Sequence, residues 1–300
     1  MKKITGGVLI PVCSPCDETG RFLPDEFAKT MEDAARQPVD GVYVCGGTGE
    51  GLLMRLEERK LACEIAVAAA RRRGKLVLTH IGAYSERDAL ELAEHAAAAG
   101  ADGISTVPLP DAEPAGLRAY YEAVAAASGL QTVLYYVPDC RLPLSEVLET
   151  LELPGVIGIK SSSNDFFFTM QLMAGKPEGK LLFNGKDEYL APAVIQGADG
   201  GIGMWANVFP GAYAGIYRRA AAGDCAGAFA LQTRLNALCC IAFRLGLLET
   251  FEAILHFQGR WDRVFRSPAP RFDRGFYERF TALAGPLVEE LTACGKEETI

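Results

Sequence analysis

Short apolar runs alternate with amphipathic stretches along the chain. Runs rich in Val, Ile and Leu occupy Gly7 to Cys13, Gly41 to Cys45, Leu76 to Ile81, Gly103 to Val107, Gln131 to Val137, Val156 to Ile159, Leu181 to Asn184 and Gly201 to Met204. The fifth is the plainest strand, because Thr132-Val133-Leu134-Tyr135-Tyr136-Val137 is almost wholly β-branched or aromatic and Pro138 stops it. Between the runs, Asp25 to Arg36, Leu56 to Arg73, Glu86 to Ala99 and Leu117 to Ala127 repeat Ala and Leu at helical spacing. Ser85 before Glu86-Arg87-Asp88, and Ser145 before Glu146, read as helix starts with acidic first turns. Strand runs that alternate with helices predict a parallel sheet, and eight of them close into an α/β fold of the TIM (β/α)8 barrel type. Helical pattern continues from Ala212 through Phe257 and from Gly275 to Leu291, with a Pro-containing linker from Arg260 to Arg274. The expected division is a barrel over 1–224 and a C-terminal helical appendage over 225–300.

Composition narrows the picture. A chain of 300 residues, 49% hydrophobic and 23% charged, has ample material for a large core. The length fits two domains of about 150 residues or one barrel of about 250 with an addition, and the strand count favours the barrel. With 30 Lys+Arg against 38 Asp+Glu and no basic run longer than Arg71-Arg72-Arg73, neither a nucleic-acid surface nor an anionic-membrane binder is expected. No apolar run reaches the ~20 residues that span a bilayer, and Val8 to Val12 is too short for a signal peptide, so a cytoplasmic protein is expected. The nine cysteines are odd in number and irregularly spaced, which points to reduced thiols. Cys13-Ser14-Pro15-Cys16 has no second Cys-x-x-Cys to complete a zinc site and is read as structural. His80, His95 and His256 are scattered, which argues against a histidine metal cluster; carboxylate-bound magnesium stays open at this point.

In such a barrel, chemistry sits at the C-terminal ends of the strands. Lys75 and Lys180 precede their runs and belong to the bottom, whereas Lys160 follows Val156-Ile157-Gly158-Ile159 and belongs to the mouth. A partly desolvated lysine there can be a neutral amine that attacks a carbonyl, although position alone also fits a solvated lysine on the rim. The second run ends in Gly46-Gly47-Thr48-Gly49-Glu50-Gly51, a turn whose exposed N–H groups and Thr48 hydroxyl suit a carboxylate or phosphate. It lacks the Lys-Ser/Thr ending of a P-loop and the dinucleotide spacing. Of Tyr135 and Tyr136, strand alternation sends only one into the barrel, where a phenol can relay protons or simply fill the core. Asp187 and Glu188, after the seventh run, can accept hydrogen bonds from substrate hydroxyls or cap a helix.

Taken in order, these segments resemble the dihydrodipicolinate synthase and N-acetylneuraminate lyase family. The resemblance rests on the turn Gly47 to Glu50, Tyr135-x-Val137-Pro138, Gly158-Ile159-Lys160, and Gly197-Ala198-Asp199-Gly200-Gly201-Ile202-Gly203 before Asn207. It implies a class I mechanism on a 2-oxo acid, usually pyruvate, through a covalent imine on Lys160 and without metal or organic cofactor. Gly47 and Thr48 would hold the carboxylate, Tyr135 would shuttle the proton, and Ile202 and Gly203 would line the pyruvate pocket. Asn184-Gly185-x-Asp187-Glu188 is similar to the sialic-acid lyase branch, in which Gly185, the two acids and Ser162 would face the polyol. Cys140 stands where the synthase branch usually has an arginine, with Arg141 one residue beyond. Gly47 replaces a hydroxyl residue of the usual relay, Val107-Pro108-Leu109-Pro110 replaces a turn that usually gives a tyrosine to a neighbouring subunit, and Met204 replaces a polar residue.

The leading expectation is therefore a lyase or aldolase closer to the N-acetylneuraminate lyase branch, taking a 2-oxo acid and an aldehyde. The alternatives are the dihydrodipicolinate synthase reaction, sugar-acid dehydration through the same imine, and a non-catalytic barrel that binds a 2-oxo acid. The resemblance also implies a homo-oligomer, tetramer or dimer.

Overall fold

The computed structural model describes residues 1–109, 114–137, 140, 142–266 and 271–294, with the backbone alone for 114–115. Eight parallel strands close into a barrel in sequence order, with β8 pairing back to β1. They are β1 (Gly7–Pro11), β2 (Gly41–Val44), β3 (Leu76–His80), β4 (Gly103–Thr106), β5 (Gln131–Tyr136), β6 (Val156–Ser161), β7 (Leu181–Asn184) and β8 (Gly200–Gly201). The barrel helices are α1 (Pro24–Arg36), α2 (Leu56–Arg72), α3 (Glu86–Ala99), α4 (Pro114–Ser128), α5 (Leu144–Leu151), α6 (Phe166–Gly175), α7 (Leu190–Ile195) and α8 (Pro210–Ala221).

Strand alternation sorts side chains into two cores. Leu9, Tyr43, Leu78, Val133, Phe183 and Ile202 fill the barrel interior, while their strand neighbours meet the helices in a second, larger cluster. Tyr136 follows the rule and leaves the barrel to stack on Phe168 of α6, at 4.6 Å between ring centroids. The expected lysine placement also holds. Lys75 donates to the carbonyls of Gln37 and Val39 below β3, and Lys180 to those of Leu153 and Val156 below β7.

Three expectations shift. The eighth strand is Gly200–Gly201, ahead of the expected Gly201 to Met204, because the Asp187 carboxylate captures the N–H groups of Met204 and Trp205 and turns Met204–Asn207 into a short 3-10 segment. Ser85 does cap α3 by accepting from the Asp88 N–H, but Ser145 lies inside α5, whose first residue is Leu144 after Pro143. The long helical stretch breaks at Gly223 and Gly246, both at positive φ, into α8, α9 (Cys225–Leu245) and α10 (Leu247–Phe257). Asp224 caps α9 and Asp273 caps α11 (Arg274–Ala293).

The sequence contains no unbroken apolar run of bilayer length, yet α9, at 21 residues, is long and apolar enough to cross a membrane by length and composition. In this fold it packs against α7, α8, α10 and α11. Cys13, Cys16, Cys45, Cys63, Cys225, Cys239 and Cys240 are reduced thiols. Burial pushes the Cys13 thiol up to about 11 and raises that of Cys16, and Cys16 hydrogen-bonds to backbone carbonyls, so the Cys-x-x-Cys is part of the packing.

Candidate active site

Register brings the mouth residues together. Tyr135 on β5 lies opposite Lys160 on β6, and the parity that puts Val133 in the barrel carries Tyr135 in as well. The Lys160 side chain is buried, with Nζ 4.1 Å from the Tyr135 ring centroid and 4.5 Å from that of Tyr43. Burial pushes the Tyr135 phenol up, but the Lys160 charge and the hydrogen bonds from Ser162 and Lys160 outweigh it, so the phenol lies below the ordinary tyrosine value. Ser162 Oγ donates to Tyr135 Oη at 3.5 Å. Burial instead raises the Tyr43 phenol well above its ordinary value, and Tyr43 Oη bonds to Ser105 Oγ at 3.3 Å.

The turn after β2 is built by its glycines. Cys45 and Glu50 both have positive φ (58° and 50°), which bends the chain sharply at each end of the loop. A Cβ at Gly49 would meet the Val12 carbonyl at 2.8 Å, and one at Gly51 would collide with the Cys45 carbonyl. At Gly47 the space is open, and a Cβ there would meet only the Tyr135 hydroxyl, at 3.7 Å. Glu50 N–H closes the turn on the Gly47 carbonyl at 3.0 Å, leaving the half-buried Thr48 at the mouth.

Across the barrel, Gly185 packs directly beside the nucleophile candidate. A Cβ there would collide with Ser162 Oγ and lie 3.1 Å from Lys160 Cε, which gives a steric reason for glycine at this position. Asp187 is buried, and its two oxygens accept from Met204 N at 3.0 Å and Trp205 N at 3.1 Å, so the carboxylate ties the β7 turn to the β8 turn. Burial, then the neighbouring Glu188 charge, push this carboxyl up to about 7. Glu188 Oε1 lies 3.6 Å from Lys186 Nζ, while Oε2 is buried with no hydrogen-bond partner among the described residues. Ile202 belongs to the barrel-interior cluster beneath the mouth, and Gly203 makes room for the Asp187 carboxylate and the Tyr213 hydroxyl. Among the described residues no group of three or more His, Cys, Asp or Glu could hold a metal ion. Leu109 and Met204 are partly buried against the outer core; Pro110, Pro138 and Arg141 lie outside the described residues.

Several neighbours escape a reading of the sequence. Tyr43 and His80 complete the aromatic wall, with His80 edge-on to Tyr135 at 5.9 Å and kept neutral by burial and by the Arg59 and Lys160 charges. Their inward parity along β2 and β3 was the available signal. Gln232 and Asn236 of α9 grip the β7 turn: Gln232 donates to the Asp187 carbonyl at 2.8 Å and accepts from Ala191 N, and Asn236 donates to the Glu188 carbonyl at 2.9 Å. No local pattern marks these two.

A parallel barrel with an enclosed lysine, a tyrosine opposite it and a glycine-threonine turn at the same mouth defines the architecture of lysine-bearing (β/α)8 enzymes. The Dihydrodipicolinate synthetase family model matches residues 4–284, and the chain belongs to that family of aldolases and lyases. It is 30% identical to the N-acetylneuraminate lyase of Salmonella paratyphi B over 298 residues, covering 97% of this chain and 99% of that protein. Among solved structures, the Ruminococcus gnavus sialic acid aldolase superposes with a TM-score of 0.88 at 23% identity, covering 97% of this chain and 99% of that one. The N-acetylneuraminate lyase of Fusobacterium nucleatum complexed with pyruvate gives a TM-score of 0.84 at 26% identity, covering 94% and 97%.

Proposed function

We propose that Lys160 forms an imine with pyruvate or a related 2-oxo acid and that the protein is an N-acetylneuraminate lyase-like aldolase. The observation that carries this reading is the buried Lys160 amine set against a tyrosine whose phenol its charge acidifies. The amine bonds to the keto carbon, and the keto oxygen leaves as water. In cleavage, the iminium takes up the electron pair of the bond broken beyond the next carbon; in condensation, the resulting enamine returns that pair to an aldehyde. Tyr135 passes the protons, assisted by Ser162. The Thr48 hydroxyl and the backbone at Gly47 receive the carboxylate, over the pocket end formed by Ile202 and Gly203. Ser162, Gly185, Asp187 and Glu188 border the remainder of the substrate, and the free oxygen there is Glu188 Oε2, since Asp187 holds the β8 turn. The scheme draws on no metal or organic cofactor. The Fusobacterium nucleatum relative complexed with pyruvate supports the choice of 2-oxo acid.

Borohydride added with pyruvate should fix a covalent adduct on Lys160, absent in Lys160→Ala; active protein with an unmodified Lys160 would overturn the mechanism. Product analysis separates aldol cleavage from sugar-acid dehydration, because only cleavage releases pyruvate and an aldehyde. Turnover lost in both Lys160→Ala and Tyr135→Phe excludes the binding-only barrel. We also propose a homo-oligomer, supported by apolar side chains exposed on α6 (Phe167) and α9 (Phe229, Phe243), which a tetramer or dimer would cover. A monomer by sedimentation velocity would refute it. Reduced thiols such as Cys13, Cys16, Cys45 and Cys63 fit the reducing cytoplasm we propose for it.

A further inference from the structure

The C-terminal region reaches the Thr48 turn through one buried ion pair. Glu50 Oε2 accepts from the backbone N–H of Arg266 at 2.7 Å and lies 3.4 Å from its Nη1. The two side chains are 15% and 4% exposed, so the contact is shielded from solvent and salt. Arg266 Nε and Nη2 are buried with no hydrogen-bond partner among the described residues, and Glu50 is the carboxylate paired with its guanidinium. The segment before Arg266 is itself fixed. Glu252 Oε1, buried on α10, accepts from Val264 N at 2.9 Å and Phe265 N at 3.2 Å. Cys16 N donates to the Arg263 carbonyl at 3.1 Å, and Cys16 Sγ to that of Phe265 at 3.6 Å. A strap over residues 263–266 is thus held by α10 and by the loop after β1, and among the described residues Glu50 ties it to the β2 turn.

That grip acts on a backbone under strain. Glu50 is a non-glycine residue at positive φ, a conformation that persists only where its surroundings enforce it. Its own N–H bonds to the Gly47 carbonyl, so a rotation at Glu50 moves Gly47 and Thr48 directly.

We propose that Glu50 and Arg266 are positioning residues for substrate binding: their buried pair anchors the strap to the turn and holds Thr48 where it receives the 2-oxo acid carboxylate. The proposal rests on the assignment of Thr48 as the carboxylate seat. Neither residue touches the reacting atoms, so its loss weakens binding and leaves the Lys160 chemistry in place.

The test uses the full-length protein, pyruvate and borohydride, measuring the half-saturating pyruvate concentration and the maximal rate of adduct formation on Lys160. Glu50→Gln and the double variant Glu50→Gln/Arg266→Met, which leaves neither charge buried alone, should each raise half-saturation roughly 10- to 100-fold and change the maximal rate about twofold or less. Added to Thr48→Ala, either change should have little further effect, because the seat is already gone. An unchanged half-saturation, a loss confined to the maximal rate, or full additivity with Thr48→Ala would overturn the proposal. Absence of any adduct in the wild-type protein would instead refute the imine, and an unaltered Thr48→Ala would refute the seat.

Discussion

Gly185→Ala isolates the steric demand of the site. The added Cβ would collide with Ser162 Oγ and sit 2.9 Å from the Ser161 carbonyl oxygen and 3.1 Å from Lys160 Cε. The serine hydroxyl can rotate aside, at the expense of its hydrogen bond to Tyr135. The Ser161 carbonyl cannot give so readily, because it accepts from Gly185 N at 2.7 Å, a bond that joins the ends of β6 and β7. The strain therefore passes to Lys160 Cε, one bond from the amine. Overpacking of this kind costs about 1–3 kcal/mol in stability, and a displacement of about 1 Å at a reacting group can cost ~100-fold in rate. Gly47→Ala is the matched control: its Cβ would meet only the Tyr135 hydroxyl at 3.7 Å, and the φ there is not positive. Pyruvate-dependent borohydride trapping, with urea denaturation of each variant, reads both effects. Gly185→Ala should trap on the order of 100-fold more slowly while remaining folded, and Gly47→Ala should stay within about 0.5 kcal/mol of the wild type in stability. Equal trapping by Gly185→Ala and wild type, or equal damage from the two alanines, would refute the reasoning.

Other consequences concern charge and support. Burial raises Asp187 from 3.8 to about 7, so the native state keeps a proton that the unfolded chain releases between those values. The associated stability is complete below pH 4 and is lost as pH rises to about 7, amounting to on the order of 4 kcal/mol. Asp187→Asn should gain on the wild type by that amount between pH 4 and 8 in urea melts, whereas a pH-independent difference would contradict it. Lys160→Met removes the charge that holds the Tyr135 phenol down while leaving its burial, so a difference phenolate titration should show that phenol moving upward; no movement would remove Lys160 as the cause. Gln232→Leu strips buried partners from Ala191 N and the Asp187 carbonyl, so it should lose about 2–4 kcal/mol in urea melts. Stability unchanged from wild type would show that α9 does not brace the β7 turn through this side chain.

The sequence by itself determined the elements whose information is local. Alternation at period two marks β5 and places Tyr135 inward and Tyr136 outward, and a lysine after an apolar run lies at the mouth, as Lys160 does. Helical periodicity likewise marks α1, α2 and α3, with ends displaced by no more than a residue. Only the tertiary structure decided contacts between residues far apart in the chain, because a local pattern encodes period and burial but not partners. Asp187, readable as a free acid or a cap, is consumed by N–H groups 17 and 18 residues later, which is also why β8 stops at Gly201. The appendage was legible as helices, yet its contacts with the barrel mouth, from Gln232 across 45 residues and from Arg266 across 216, depend on where the closed barrel returns those segments. Closing the sheet, and not any motif, sets Tyr43 and His80 beside Tyr135 and so supplies the aromatic wall against which the Lys160 amine is buried.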